Sequence, residues 1–145
     1  MLRWSEGQLQ AHQQRTRGSA SPVLECVPLP VAKGIEPSPY AGMNETEKEY
    51  AQILEAKKVR GEILWWEYEG YALKIAHNTR YTPDFAVMLP GGEIEFHETK
   101  GGYIYEDSWI KLKVAASKKP HRFYLCQKKA KKDGGGWDIK DVRRV

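Results

Sequence analysis

Apolar positions recur with a helical period in one early stretch of the chain. Tyr50, Ile53, Leu54 and Lys57 line one side, and Asn44 with Glu47 three residues on makes a capping-box-like start. The spacing predicts an amphipathic helix over residues 44–58, ended by Gly61. The period then shortens. Residues 63–68 and 71–75 are rich in β-branched and aromatic side chains and flank Glu69-Gly70, which predicts a β-hairpin. Residues 79–83 read as a connection and 84–89 as a strand. Pro90-Gly91-Gly92 is a strong turn signal, and 93–100 reads as a second strand with Ile94 and Phe96 on one face. Gly101-Gly102 breaks it. A helix is expected over 107–117, with Trp109, Leu112 and Ala116 along one side and Pro120 closing it. Strands are expected over 121–127 and 137–142, separated by a loop at 133–136. The order α-β-β-β-β-α-β-β predicts an α/β fold of the α+β kind, a mixed sheet flanked by helices.

The chain before residue 44 has a different character. Residues 5–17 predict a short polar helix with Ser5 as N-cap, Leu9 as its one strong apolar residue and Gly18 as its stop. Pro22, Pro28, Pro30, Pro37 and Pro39 punctuate residues 18–43, which read as an extended linker. The expected division is an N-terminal helical arm at 1–17, the linker, and a folded domain at 44–145.

Composition narrows the classes. The 145 residues suit one domain with a modest core, and the formal net charge of +4 makes an anionic partner plausible. The two cysteines, Cys26 and Cys126, form no CxxC pair, which argues against a thiolate zinc site and fits a reducing compartment. No apolar run is long enough to span a bilayer and the first residues carry no signal-peptide core, so a soluble intracellular protein without membrane partners is expected.

Chemistry concentrates between Pro83 and Lys100. Pro83 can stand at a strand entrance because it donates no ladder hydrogen bond there. Glu98 and Lys100 are two apart and share one strand face, the face of Ile94 and Phe96. The Pro90-Gly91-Gly92 turn makes the two strands antiparallel neighbours, which brings Asp84 toward Glu98 and Lys100. Two carboxylates and an ammonium facing a core are costly when dry. They make sense at the mouth of a cleft, where a hard divalent cation sits between the carboxylates. A nearby lysine can then orient the attacking water and stabilise charge on a phosphate.

Pro83-Asp84 followed by Glu98-Thr99-Lys100 resembles the signature of the PD-(D/E)xK nucleases. The wider set of blocks is similar to small phage and prophage nuclease-like proteins grouped as a domain of unknown function. Those blocks are Asn44-Glu45-Thr46-Glu47 with Tyr50-Ala51, Tyr81-Thr82-Pro83-Asp84-Phe85, His97-Glu98-Thr99-Lys100-Gly101, Asp107 with Ile110-Lys111-Leu112-Lys113, and Gly136-Trp137. The resemblance covers the chain from Asn44 onward and implies a restriction-endonuclease-like core. It implies that Asp84 and Glu98 hold Mg²⁺ or Mn²⁺, with the Thr99 carbonyl as a further ligand and Lys100 at the attacking water. Glu47 takes the place of an additional acidic residue in many such enzymes. The implied activity is a metal-dependent DNA endonuclease of phage or prophage type, in the cytoplasm of a bacterial host. With no base-reading module in the sequence, structure-selective cleavage of branched DNA such as a recombination junction, or weakly sequence-specific cleavage, is expected. A homodimer would suit paired cuts.

Each of these residues also has a plainer role available. Asp84 could be a turn residue, and Glu98 with Lys100 a solvated strand end. Glu47 is explained equally well as a helix cap. His97 has the opposite parity to Glu98 and reads as a packing or surface residue. Lys111, four residues after Asp107, could form a surface ion pair, while Lys111 or Lys113 could instead face a phosphate. Lys118, Lys119, His121 and Arg122, followed by Lys128, Lys129, Lys131 and Lys132, read as phosphate-backbone contacts or as plain solubility. Trp65, Trp66 and Trp109 read as core aromatics, although one exposed ring could stack on a splayed base. The rival functions are a catalytically silent DNA-binding module and a phage structural or packaging partner.

Overall fold

Asn44 caps the first helix, α1 (Glu45–Val59), and the capping box is complete. The Asn44 side chain accepts from Glu47 N at 3.0 Å, and the Glu47 carboxylate accepts from Asn44 N at 2.8 Å. Gly61, at a positive φ of 74°, turns the chain out of the helix. The computed structural model describes residues 37–144; the predicted arm at 1–17 and most of the linker lie outside the described residues. The folded unit starts earlier than the expected boundary at 44. Met43 is buried against α1, and Tyr40 stacks on Trp66 with ring centroids 6.5 Å apart.

Seven strands follow: β1 (Trp65–Tyr68), β2 (Leu73–Ala76), β3 (Thr79–Tyr81), β4 (Phe85–Met88), β5 (Ile94–Lys100), β6 (Arg122–Lys128) and β7 (Trp137–Asp141). The second helix, α2 (Glu106–Lys118), links β5 to β6, and short 3-10 turns lie at Lys131–Asp133 and Val142–Arg144. Five strands form one mixed sheet in the order β1-β4-β5-β6-β7. Only the β5–β6 pair is parallel, and α2 supplies the crossover that a parallel pair needs. The fold is therefore mixed α/β.

The predicted hairpin between 63–68 and 71–75 does not form. β1 pairs antiparallel with β4, and β2 pairs with β3 in a separate two-stranded sheet. Two causes are visible. Pairing β1 with β4 packs Trp66 and Tyr68 on Phe85, with centroids 5.9 and 5.5 Å apart. The turn that closes a hairpin is His77-Asn78, where Asn78 takes a φ of 52°, a conformation asparagine tolerates. Residues 79–81, expected as connection, are accordingly strand β3.

The five-stranded sheet buries both faces. Phe85 and Val87 of β4 and Cys126 of β6 meet Tyr50, Ala51 and Leu54 of α1. Ala86, Phe96, Phe123 and Leu125 point the other way, onto Leu112, Ala115 and Ala116 of α2. The β2–β3 hairpin brings Ile75 and Tyr81 to that second face. Alternate residues of one strand thus serve two cores, as a period of two requires. Among the described residues no helix is long and apolar enough to cross a membrane.

Candidate metal-dependent active site

Register places the predicted carboxylates at one end of the sheet. Phe85 of β4 pairs with His97 of β5, so Asp84 stands just before β4 beside the end of β5. Pro83 is fully buried and anchors the strand entrance. The Asp84 Oδ2 atom accepts two hydrogen bonds from Thr99, from its amide at 2.7 Å and from its hydroxyl at 2.8 Å. Glu98 is buried. Its Oε2 accepts from the Tyr81 hydroxyl at 2.7 Å, and its Oε1 pairs with Lys100 Nζ at 2.8 Å. Asp84, Glu98, Thr99 and Lys100 therefore form one cluster. The contacts Thr99 makes within it come from its amide and hydroxyl.

The electrostatics are those of a site short of positive charge. Burial, and then the neighbouring Glu98 carboxylate, push Asp84 up to about 7, against the two hydrogen bonds from Thr99 and the charge of Lys100. Burial works against the Lys100 ammonium. Its hydrogen bond to Glu98, with the charges of Glu98, Asp84 and Glu47, outweighs burial and holds it above its ordinary value. Tyr81 is raised by burial and then by Glu98, so it stays a neutral donor to that carboxylate.

Glu47 stands at the edge of this cluster and performs the capping role in full. Its Oε2 also accepts from the Tyr68 hydroxyl at 3.0 Å. Tyr68 is raised by burial first, and then by its hydrogen bond to Glu47 and the charges of Glu47, Glu69 and Asp84. Its hydroxyl therefore lies within the field of both Glu47 and Asp84. Gly101 leaves room for α1 at this position: a Cβ there would meet Thr46 Oγ1 at 2.8 Å. Glu47→Gln separates cap from charge, because glutamine also completes a capping box. For a charge that serves a nuclease centre here, we expect an unchanged melting temperature and a cleavage rate lowered at least tenfold, or about 1.4 kcal/mol of barrier. Rate and melting measured on one preparation check this.

The basic residues do not gather around one site. In the β5–β6 register Lys100 faces Gln127, whereas Arg122 faces Glu95 at the opposite end. Lys118 and Lys119, at the end of α2, share that far end. There Lys118 Nζ donates to Ile75 O at 2.7 Å, and Arg143 Nε donates to Ala116 O at 3.1 Å. A cavity of about 790 Å³ lies among these residues, but its Lys118 and Arg143 are tied to backbone carbonyls and it lies away from the carboxylates. Lys113 Nζ rests over the Trp109 ring at 4.7 Å. Lys128 pairs with Glu49. Lys129 stays near the Lys100 end of the sheet, on the wall of a hollow of about 320 Å³ shared with Gly101 and Gly102.

Sequence reasoning gives no role to Tyr81, which reaches Glu98 of β5 from β3, or to Tyr68, which reaches Glu47 of α1 from the end of β1. His97, expected as a packing or surface residue, is buried in a polar chain. The Cys126 thiol donates to the Tyr50 hydroxyl at 3.1 Å, Tyr50 reaches His97 Nδ1 at 2.7 Å, and His97 Nε2 reaches Glu95 at 3.0 Å. With the thiol as first donor, this order fits a neutral imidazole protonated at Nε2. Burial pushes the Cys126 thiol up to about 12, so it is an inert structural cysteine.

Among the described residues no three His, Cys, Asp or Glu side chains cluster as a metal-binding group. The donor set at the site is two carboxylates. This suits magnesium, which keeps several waters and is commonly held by one or two carboxylates. The Asp84 Oδ1 atom accepts no hydrogen bond from the described residues, and the Glu98 charge acts on the same carboxyl group. No family model, curated protein or solved structure matches this chain.

Proposed function

We propose that the chain is a metal-dependent nuclease that hydrolyses phosphodiester bonds in DNA, with Asp84, Glu98 and Lys100 as its catalytic residues. The observation that carries this reading is the pairing of Glu98 with Lys100 beside an Asp84 whose charge is only partly compensated. The arrangement fits the restriction-endonuclease-like core implied by the resemblance to PD-(D/E)xK nucleases.

Asp84 and Glu98 would hold Mg²⁺ or Mn²⁺, with the Thr99 carbonyl as a further ligand. When bound, the ion would polarise the phosphodiester and lower the pKa of a water. Thr99 fixes Asp84 through two hydrogen bonds and leaves its second oxygen for the ion. Tyr81 and Lys100 fix Glu98 from either side. Lys100 stays protonated at neutral pH, so it acts by orienting the attacking water and by its charge on the phosphate, not as a base. Glu47 adds its charge to those of Glu98 and Asp84 in favouring that ammonium, as the smallest of the three.

The phosphate backbone would run past Lys129 and the exposed Lys131 and Lys132, which share the catalytic end of the sheet, and along Lys111 and Lys113 on α2. Lys128 contributes less because of Glu49. Neutralising Lys129, Lys131 and Lys132 should weaken DNA binding and flatten its salt dependence, by roughly 0.9 in log–log slope for each duplex phosphate that a lysine no longer neutralises. Titrations at several salt concentrations check this. The same change at Lys118, Lys119 and Arg122 should leave the slope near wild type.

A structure-selective endonuclease of phage or prophage type, working as a homodimer in a bacterial cytoplasm, remains our reading of the biological setting. A cleavage panel of single-stranded, duplex, flap and four-way DNA with Mg²⁺, Mn²⁺ and EDTA tests the activity. Binding without metal-dependent cleavage of any member would favour a silent DNA-binding module. Neither binding nor cleavage would favour a structural partner.

A further inference from the structure

The segment after Lys100 leaves two large aromatic side chains in water. Ile104 packs against the core, and the tyrosines on either side of it turn outward. Tyr103 is 83% and Tyr105 73% exposed, and their rings meet edge to face with centroids 5.7 Å apart. Neither hydroxyl caps α2, whose N-terminus has no side-chain hydrogen bond from Tyr105. Beside them lies a cavity of about 350 Å³ lined by Tyr103, Ile104, Glu106 and Trp109. It therefore presents two aromatic rings, one aliphatic wall and one carboxylate.

We propose that this cavity binds an unpaired nucleobase of the DNA strand being cut. The inference rests on the reading of Asp84, Glu98 and Lys100 as a nuclease centre and names the substrate class of that centre. Three observations favour a base over a protein side chain. Tyr103 follows Lys100 by three residues, so the cavity lies within about 11 Å of chain from the catalytic lysine. A cation stands over one of the rings, with Lys113 Nζ 4.7 Å from the centroid of Trp109, which suits a phosphate beside a stacked base. Glu106 on the cavity wall is an acceptor, matched to the amino group of cytosine, adenine or guanine and opposed to the carbonyl edge of thymine. The protein then selects DNA with an unstacked base next to the scissile phosphate, as single strands, flaps and junctions provide.

Binding of the full chain in EDTA separates this from catalysis. Anisotropy is measured with labelled oligodeoxycytidylate, labelled oligodeoxythymidylate and a blunt duplex. The wild type should prefer the cytosine strand to both others. Tyr103→Ala, at an exposed position where folding is not at stake, should weaken that strand roughly tenfold or more and leave the duplex unchanged. Glu106→Gln should erase the preference for cytosine over thymine. Equal binding of the cytosine strand by wild type, Tyr103→Ala and Tyr105→Ala would overturn the proposal. So would a wild-type preference for duplex, or self-association in sedimentation that Tyr103→Ala abolishes. A wild type that cleaves nothing with Mg²⁺ but shows the Tyr103-dependent preference removes the nuclease reading and keeps the base site.

Discussion

Asp84→Asn is expected to abolish cleavage and, in the absence of metal, to melt at a higher temperature than the wild type above neutral pH. The loss of activity follows from the loss of a charged metal ligand with shape retained. The gain in stability follows from proton linkage. Burial and the Glu98 charge raise the Asp84 carboxyl from 3.8 in the unfolded chain to about 7 in the fold. A raised carboxyl contributes stability that is fully present below the unfolded value and lost as pH rises through the folded value. The metal-free wild type should therefore weaken progressively between about pH 4 and pH 7. The asparagine variant, neutral throughout and still able to accept from the Thr99 amide, lacks this loss. At pH 8 the difference should reach roughly 1–4 kcal/mol, which is several degrees of melting temperature for a domain of this size. Melts in EDTA from pH 4 to pH 8 check it. A pH-independent difference between the two proteins would mean that Asp84 takes up no proton in that range. Glu98→Gln should also abolish cleavage but should destabilise, because it breaks the ion pair with Lys100.

Lys100→Ala is expected to lower turnover roughly 10²- to 10³-fold while leaving metal affinity unchanged or higher. The Lys100 ammonium sits 2.8 Å from Glu98 Oε1 and neutralises part of the charge that would hold a cation. Its removal exposes that charge to the metal and takes away the group placed to steady the attacking water. The metal-free variant should also lose about 2 kcal/mol, because buried Glu98 keeps only Tyr81 as a partner. Manganese titration followed by calorimetry, together with single-turnover cleavage at saturating metal, separates the two effects. A variant that fails because it no longer binds metal would contradict the assignment of Lys100 to the water.

The clustering of Asp84, Glu98 and Lys100 is legible in the sequence because its geometry is local in the chain. Pro90-Gly91-Gly92 forces two successive strands into an antiparallel pair, and a period of two then fixes which residues of β5 share a face. The helices are legible for a similar reason, since Asn44 with Glu47 and the spacing of Tyr50 and Leu54 act over single turns. Strand partnership at longer range is not. Glu69-Gly70 looks like a hairpin turn, yet β1 crosses to β4 because Phe85 offers Trp66 and Tyr68 a packing partner no local signal reveals. That same rearrangement brings Tyr81 onto Glu98 and Tyr68 onto Glu47. The basic residues show the opposite error. Arg122 and Lys128 are close in sequence but stand at opposite ends of the seven-residue strand β6, roughly 20 Å apart. Parity puts His97 opposite Glu98, but its burial comes from Tyr50, a residue of another element.

The most direct test of the central claim compares wild type and Asp84→Asn, purified identically, on branched and single-stranded DNA with Mg²⁺ or with EDTA. Cleavage by the wild type in Mg²⁺ alone, with none by the variant under either condition and DNA binding retained by both, is the result the account predicts. Cleavage that survives in EDTA, or that the variant matches in Mg²⁺, would contradict a metal-dependent centre at Asp84 and Glu98.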